Sequence, residues 1–415
     1  MPGSELIVGL DIGTTKICAV VGEPAENGID IIGIDTSPSK GLRKGVVVNI
    51  DETVQSIRKA VEEAELMAGC EISNVYAGIA GSHIKGVNSH GVIAIKGGGE
   101  VTQQDVERVI EAAKAVAIPM DRKVLHTLPQ NFIVDDQCEI ANPVGMSGVR
   151  LEANVHIVTG AVTSAQNIVR SCAKSGLDVD EIVLESLASS KSILTDEERE
   201  IGVAIVDIGG GTSDIAIFIN NAIKYTGAVA LGGDNLTSDI TLCLRTSKAA
   251  ADKLKIKHGC ALTEMVSPEE TIEVPGVGGR PARLLSRREL AEICEPRMEE
   301  ILALIYQELD RSGLKRQLGA GIVLTGGGAL IPGCVELAEE LFKMPVRLGY
   351  PRNVGGLKDV INNPKYATAV GLLFYAAEKE AHAPGGGDNP PLSHSGEGLL
   401  NRVWNCMKRW FSDVR

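Results

Sequence analysis

Two stretches of this chain repeat one pattern. Leu6 to Val21 reads L-I-V-G-L-D-I-G-T-T-K-I-C-A-V-V, and Ala204 to Phe218 reads A-I-V-D-I-G-G-G-T-S-D-I-A-I-F. Each is an apolar, β-branched run closing on an aspartate, then a glycine turn with hydroxyl residues, then a second apolar run. That order spells strand, tight turn, strand. Either copy alone reads equally well as an ordinary glycine hairpin. Two copies predict duplicated α/β halves facing each other across a cleft, with a polyphosphate as the simplest reason to need both.

The chemistry follows from the residue types. Glycines let backbone N–H groups converge on an anion where a Cβ would obstruct them. The amides of Gly13, Thr14 and Thr15, and of Gly209, Gly210, Gly211 and Thr212, are expected to cradle β- and γ-phosphates, with Lys16 neutralising charge. Asp11 and Asp207 are expected to face a hydrated Mg²⁺ from opposite walls. Glu185 follows an apolar strand and opens a helix, where it can orient a water or simply favour the helix dipole. The loop Gly326, Gly327, Gly328 lets a flat ring such as adenosine lie against backbone. Gly232 and Gly233 precede a helix whose N-terminus suits an anion. Asp252 and Lys253 are candidates for a ribose, or equally a solvated helix face.

With 415 residues and 44% apolar content, the chain can bury more than one core. A net charge of −13 argues against a general nucleic-acid surface. The nine cysteines show no C-x-x-C, which reads as packed thiols in a reducing cytoplasm rather than a metal or disulfide framework. No signal peptide is evident, and no apolar run reaches the length of a membrane span.

Along the chain, strands fill residues 5–49, Asp51 reads as the N-cap of a helix to about Ala68, and Asn74–Ala80 is a strand. Residues 83–162 change character: alternating strands at 83–96, 123–134 and 149–159 surround a helix opened by a Thr102-x-x-Asp105 capping box and running to Ala117. This is a compact α+β insertion. The first half resumes with helices at 164–174 and 185–194 around a strand at 181–184. In the second half, helices are expected at 246–257 and, from the Ser286-x-x-Glu289 capping box, to about Asp310, with Pro296 kinking or splitting the latter. A hairpin is expected at 273–285 and a last helix at 366–380.

Residues 383–398 are rich in glycine, proline and serine and read as a flexible linker. Beyond it, Leu399, Leu400, Val403, Trp404, Cys406, Met407, Trp410, Phe411 and Val414 share an arc of about 160° on a helical wheel. Arg402 and Arg409 flank one edge, Lys408 and Arg415 the other. At about 1.5 Å per residue this helix, 399–415, reaches near 25 Å, short of the ~30 Å hydrocarbon core. It is suited to lie in the interface of an anionic membrane, gaining strength from several linked copies.

The two hairpins, the Glu185 segment and the loop T-G-G-G-A-L-I-P-G resemble the actin, Hsp70 and sugar-kinase superfamily. Leu125–Gln130 (L-H-T-L-P-Q), Gly78–Ile84, Leu231–Thr237, Glu295–Arg297 and above all Pro143–Gly160 (P-V-G-M-S-G-V-R-L-E-A-N-V-H-I-V-T-G) resemble the bacterial cell-division family FtsA. The resemblance covers residues 5–380 and the tail. It implies an actin-like two-lobed fold of duplicated ribonuclease-H-like domains in which a 1C insertion replaces subdomain 1B. Subdomain 1A would comprise 1–82 and 163–199, with 365–382 returning to it; 1C, 83–162; 2A, 200–235 and 301–364; and 2B, 236–300. It also implies ATP and Mg²⁺ as ligands, at most weak ATPase activity, and self-assembly into filaments. The filaments would lie on the cytoplasmic face of the inner membrane at the division septum. Partners would be the C-terminal tail of FtsZ, docking on 2B near Arg287, Arg288 and Arg297, and later division proteins docking on 1C. A small-molecule kinase, the related pilus-assembly adaptor and a chaperone are the rivals. The kinase would need an acceptor-facing aspartate, the adaptor lacks the tail, and the chaperone needs a peptide-binding domain.

Overall fold

The computed structural model describes residues 6–26, 28–95 and 99–381. The chain opens with β1 (Ile7–Ile12), β2 (Lys16–Ala25) and β3 (Gly28–Pro38), then the short pair β4 (Leu42–Arg43) and β5 (Val46–Val47). Helix α1 (Ile50–Ala68) and β6 (Asn74–Ile79) complete the first unit. The N-cap of α1 is Asn49, whose side chain accepts from the Glu52 amide, and not Asp51. Asp51 lies inside the first turn, where its charge favours the helix dipole instead.

The insertion follows as β7 (Lys85–Ala94), α2 (Gln103–Lys114), β8 (Arg122–Val134), β9 (Gln137–Ile140) and β10 (Arg150–Ala161). Its four strands form one sheet in the order β7-β10-β8-β9. Both bonds of the Thr102–Asp105 capping box are made, and α2 stops at Lys114, short of Ala117. Val109, Ala113, Leu151, Val155 and Ile157 form the insertion's own core.

The first lobe resumes with α3 (Val162–Lys174), β11 (Asp178–Leu184) and α4 (Glu185–Ile193). The second lobe runs through α5 (Asp196–Ile201), β12 (Val203–Ile208), β13 (Ser213–Ile219), β14 (Ala222–Val229), α6 (Gly233–Leu244), α7 (Lys248–His258), β15 (Thr271–Val274) and β16 (Arg283–Ser286). Helix α8 (Arg287–Arg311) is capped by Ser286 and Glu289 and passes unbroken through Pro296, so the expected boundary at 300/301 falls inside one helix. After β17 (Ile322–Thr325), α9 (Cys334–Phe342) and β18 (Val346–Leu348), the strand β19 (Val354–Gly356) pairs with β3. The return to the first lobe therefore begins at Val354 rather than at 365. The short α10 (Lys358–Ile361) and the long α11 (Ala367–Ala381) follow.

Two sheets result, β11-β6-β1-β2-β3-β19 and β14-β13-β12-β17-β18. In each, an antiparallel hairpin lies beside a parallel strand that arrives by a helical crossover. One core, around Leu10, Ile17, Ala77 and Ile182, runs on to Ile205, Ala216 and Val323 on one face of the second sheet, and another, around Val206, Ile217, Leu324 and Met298, covers its opposite face. Each fully buried branched side chain contributes about 1.5–3 kcal/mol, so the shared core ties the two lobes together. Helices α4 and α11 cross closely at the junction, where a Cβ on Gly371 would lie 1.9 Å from the Ala188 carbonyl oxygen. No helix among the described residues is long and apolar enough to cross a membrane. The linker at 383–398 and the tail helix expected at 399–415 lie outside the described residues.

Candidate functional site

The hairpin β1–β2 pairs Asp11 with Cys18, and its turn closes when the Gly13 amide donates to the Lys16 carbonyl at 3.0 Å. The hairpin β12–β13 pairs Asp207 with Asp214 and closes when the Gly209 amide donates to the Thr212 carbonyl at 2.9 Å. The tips meet. A Cβ on Gly210 would lie 1.8 Å from Thr15 Oγ1, and one on Gly211 would lie 2.8 Å from Thr14 Oγ1 and 2.9 Å from the Lys44 Cα. Thr15 Oγ1 also donates to Asp234 Oδ1 at 3.4 Å, and the Gly45 amide donates to Thr14 Oγ1 at 2.9 Å.

Four carboxyl groups gather behind these tips. Asp11 is 6% exposed and pairs with Lys16 Nζ at 2.6 Å. Burial by itself would lower the Lys16 pKa, but the Asp11 carboxylate outweighs it and holds the ammonium above its usual range. Asp207 Oδ2 accepts from Ser189 Oγ and Thr368 Oγ1, each at 3.1 Å. Burial and the neighbouring Asp11 still raise the Asp207 pKa. Asp214 accepts from Thr212 Oγ1 at 2.9 Å and the Gly81 amide at 3.4 Å, and burial lifts its carboxyl to about 7. Glu185 begins α4 directly behind β11. Burial, then the charges of Asp11, Asp214 and Asp207, push it well above the usual carboxylate range.

A site in which burial and neighbouring charge both penalise the ionised form of its acids gains from an added cation. Among the described residues no three His, Cys, Asp or Glu side chains close on one point as direct ligands. The donor set therefore fits a divalent ion that keeps its own waters, as Mg²⁺ does.

The flanking loops are positioned by close backbone contact. At Gly326 φ is +83°, and a Cβ would lie 2.3 Å from Asp207 Oδ1; Gly328 backs onto Ile208, while Gly327 has open space beside it. The Gly233 and Asp234 amides donate to the Gly209 and Gly210 carbonyls at 2.9 and 2.8 Å. The first amides of α6 are thus spent on holding the second hairpin, so Gly232 and Gly233 brace it rather than present a free helix end.

On α7, Asp252 accepts from Thr237 Oγ1 at 3.1 Å and pairs with Lys255 at 2.7 Å. Lys253 is exposed. Lys255 reaches the Gly233 carbonyl at 3.2 Å and Thr237 Oγ1 at 2.8 Å. Residues three apart share a helix face and adjacent ones do not, so Asp252 pairs with Lys255 rather than with Lys253. Ser189, Thr368 and Asp214 also went unread as site residues, although Asp214 stands inside the second repeat.

The three arginines considered for a partner are engaged within the chain. Arg287 bonds Glu270 at 2.6 Å and the His258 carbonyl at 2.9 Å. Arg297 pairs with Asp239 at 2.5 Å and with Glu300. Arg288 sits 3.7 Å from Glu292.

Comparison with known proteins agrees with this architecture. The family model described as "Cell division protein FtsA" matches residues 204–371, and "SHS2 domain inserted in FTSA" matches residues 81–159, the insertion. The chain is 52% identical over 412 residues to the cell division protein FtsA of Pseudomonas aeruginosa, covering 98% of this chain and 97% of that one. It is 46% identical over 389 residues to that of Escherichia coli, with 92% of each covered. Among solved structures, the PilM-PilN type IV pilus biogenesis complex aligns with a TM-score of 0.62 at 15% identity, over 89% of this chain and 98% of that one. MreB5 of Spiroplasma citri bound to ADP aligns at 0.51 and 15% identity, over 91% and 98%. These two likenesses support the actin-like two-lobed fold. The sequence relatives go further: the chain belongs to the FtsA family of bacterial cell division proteins.

Proposed function

We propose that the cleft binds ATP with Mg²⁺ and that the bound nucleotide sets the angle between the lobes, giving a subunit shaped to polymerise. The observation that carries this is the facing pair of hairpins, with four buried carboxyl groups behind them and Lys16 paired into the set. Asp11 and Asp207 hold the hydrated cation, and the amides of Thr14, Thr15, Gly210, Gly211 and Thr212 hold phosphate, those of Gly13 and Gly209 being spent on closing their turns. Gly326–Gly328 lies against the base. Asp252 and Lys255 support the sugar side through Thr237 and Gly233. The cation supplies charge neutralisation at the phosphates. Glu185 orients water, with slow turnover, so ATP binding rather than hydrolysis is the working feature.

The polymer acts at the division septum on the cytoplasmic face of the inner membrane. Residues 399–415 attach it to anionic lipid, the second lobe takes the FtsZ C-terminal tail, and the insertion takes later division proteins. The intramolecular pairing of Arg287, Arg288 and Arg297 means that an acidic tail must displace Glu270, Glu292 or Asp239 to use them.

Co-sedimentation with anionic liposomes in Mg-ATP tests the reading, comparing the full chain with one ending at Gly396. The full chain pellets with liposomes and the shortened one stays in solution; equal behaviour overturns the tether. Equilibrium dialysis against ATP with and without EDTA tests the cleft, and binding that is indifferent to EDTA removes the cation from the account.

A further inference from the structure

Two stretches that carry the family resemblance, Leu125–Gln130 and Pro143–Gly160, lie in the insertion. Their side chains reach out of it in two directions. On one side, His126 of β8 is buried, and its Nε2 accepts the Leu184 amide at 2.9 Å. Leu184 ends β11 and directly precedes Glu185 of the cleft. The His126 ring also meets Tyr375 of α11 edge-on, with centroids 5.9 Å apart. Burial depresses the His126 pKa to about 4, so the ring is neutral and Nε2 is free to accept.

On the other side, the insertion grips β14, the edge strand of the second lobe. Gln130 Nε2 donates to the Ile223 carbonyl at 2.8 Å, and Asn88 Nδ2 donates to the Lys224 carbonyl at 3.1 Å. His156 Nδ1 lies 2.6 Å from Asn88 Oδ1, and its Nε2 lies 3.0 Å from Thr226 Oγ1. An amide oxygen only accepts, so Nδ1 carries the proton and Nε2 accepts from the Thr226 hydroxyl. The insertion leaves room for this contact. A Cβ on Gly86 of β7 would lie 2.3 Å from Thr226 Oγ1 and 2.5 Å from His156 Nε2. Thr226 and His156 are both buried in the junction.

An element bonded to both lobes cannot keep both sets of contacts unchanged if the lobes move relative to one another. We propose that the insertion is a strut: His126 fastens it beside Glu185, and Gln130, Asn88 and His156 fasten it to β14, so its orientation follows cleft closure. Linkage makes the effect reciprocal, so a protein docked on the insertion alters how tightly the cleft holds nucleotide by the same factor by which nucleotide alters its docking. The inference rests on the nucleotide reading of the cleft.

The test uses the full chain with spin labels introduced as unnatural amino acids at Met120, on the insertion, and Leu242, on the second lobe, both exposed. The Met120–Leu242 distance distribution is recorded with and without Mg-ATP, alongside dialysis of ATP on the same preparation. The expected result is a nucleotide-dependent shift that is lost in His156→Ala and reduced in Gln130→Ala while both variants still bind ATP. Gln130 is half-buried, so its variant keeps the test decisive should His156→Ala fail to fold. ATP bound with no shift, or a full shift surviving in Gln130→Ala, overturns the strut alone. No ATP bound by the wild-type chain overturns the nucleotide reading and the strut with it.

Discussion

The two hairpins share a plan and differ in what they carry. Aligned by their turn bonds, Gly13 matches Gly209, Thr14 and Thr15 match Gly210 and Gly211, Lys16 matches Thr212, and Cys18 matches Asp214. The first tip is bulky and its aspartate is paired with an ammonium. The second is bare and carries two carboxyl groups with only hydroxyl and amide donors. The differences are complementary. The glycines of the second tip occupy the space that the threonines of the first leave, and the charge of the second faces the cation of the first. Duplication supplied the plan; facing each other across a cleft dictated which copy kept side chains and which lost them.

The largest effect on this asymmetry comes from removing its cation. Lys16→Met leaves Asp11 buried among like charges. Breaking a buried pair on one side costs about 3–5 kcal/mol, so urea unfolding of the free protein should show a loss near the low end, because Lys16 is a quarter exposed. A loss below about 1 kcal/mol would mean that solvent screens the pair.

Next, Asp214→Asn makes the second hairpin resemble the uncharged first at the Cys18 position. The folded carboxyl titrates at about 7 against an ordinary 3.8. The folded state therefore binds its proton more tightly than the unfolded chain. The stability this brings is present below about pH 4 and is lost as pH rises through 7. In EDTA, the variant minus wild-type difference in unfolding free energy should rise in favour of the variant over that window, by no more than about 4 kcal/mol. A flat difference would place Asp214 in contact with water.

Third, Gly211→Ala sets a methyl against Thr14 and the Lys44 backbone. Overpacking of this kind costs about 1–3 kcal/mol, read as lost stability in urea unfolding. Thr14→Gly in the same chain should recover part of it, and no recovery would show that the tips do not interlock in solution. Smallest is Thr15→Ala, which removes a long bond to Asp234 and changes stability by about 0.5 kcal/mol or less.

Much of this was legible in the sequence because it is local. The hairpins announce themselves through alternation, an aspartate and a glycine turn within fifteen or so residues. The capping boxes at Thr102 and Ser286 close over three residues and form as read. The insertion stands out by its change of character, and Glu185 by its place at a strand-to-helix step. What only the tertiary structure decided joins residues far apart in the chain. Ser189 and Thr368 meet at Asp207 because α4 and α11 cross there. Lys255 rather than Lys253 bonds α6 because α7 turns its Asp252–Lys255 face to that helix. Arg287 and Arg297 are neutralised by Glu270 and Asp239 from other segments, and β19 joins the first sheet because β3 offers it an edge. Short-range pattern fixes which segments form and where they turn. Which side chains share a cleft depends on how separately formed elements pack, and no local pattern records that.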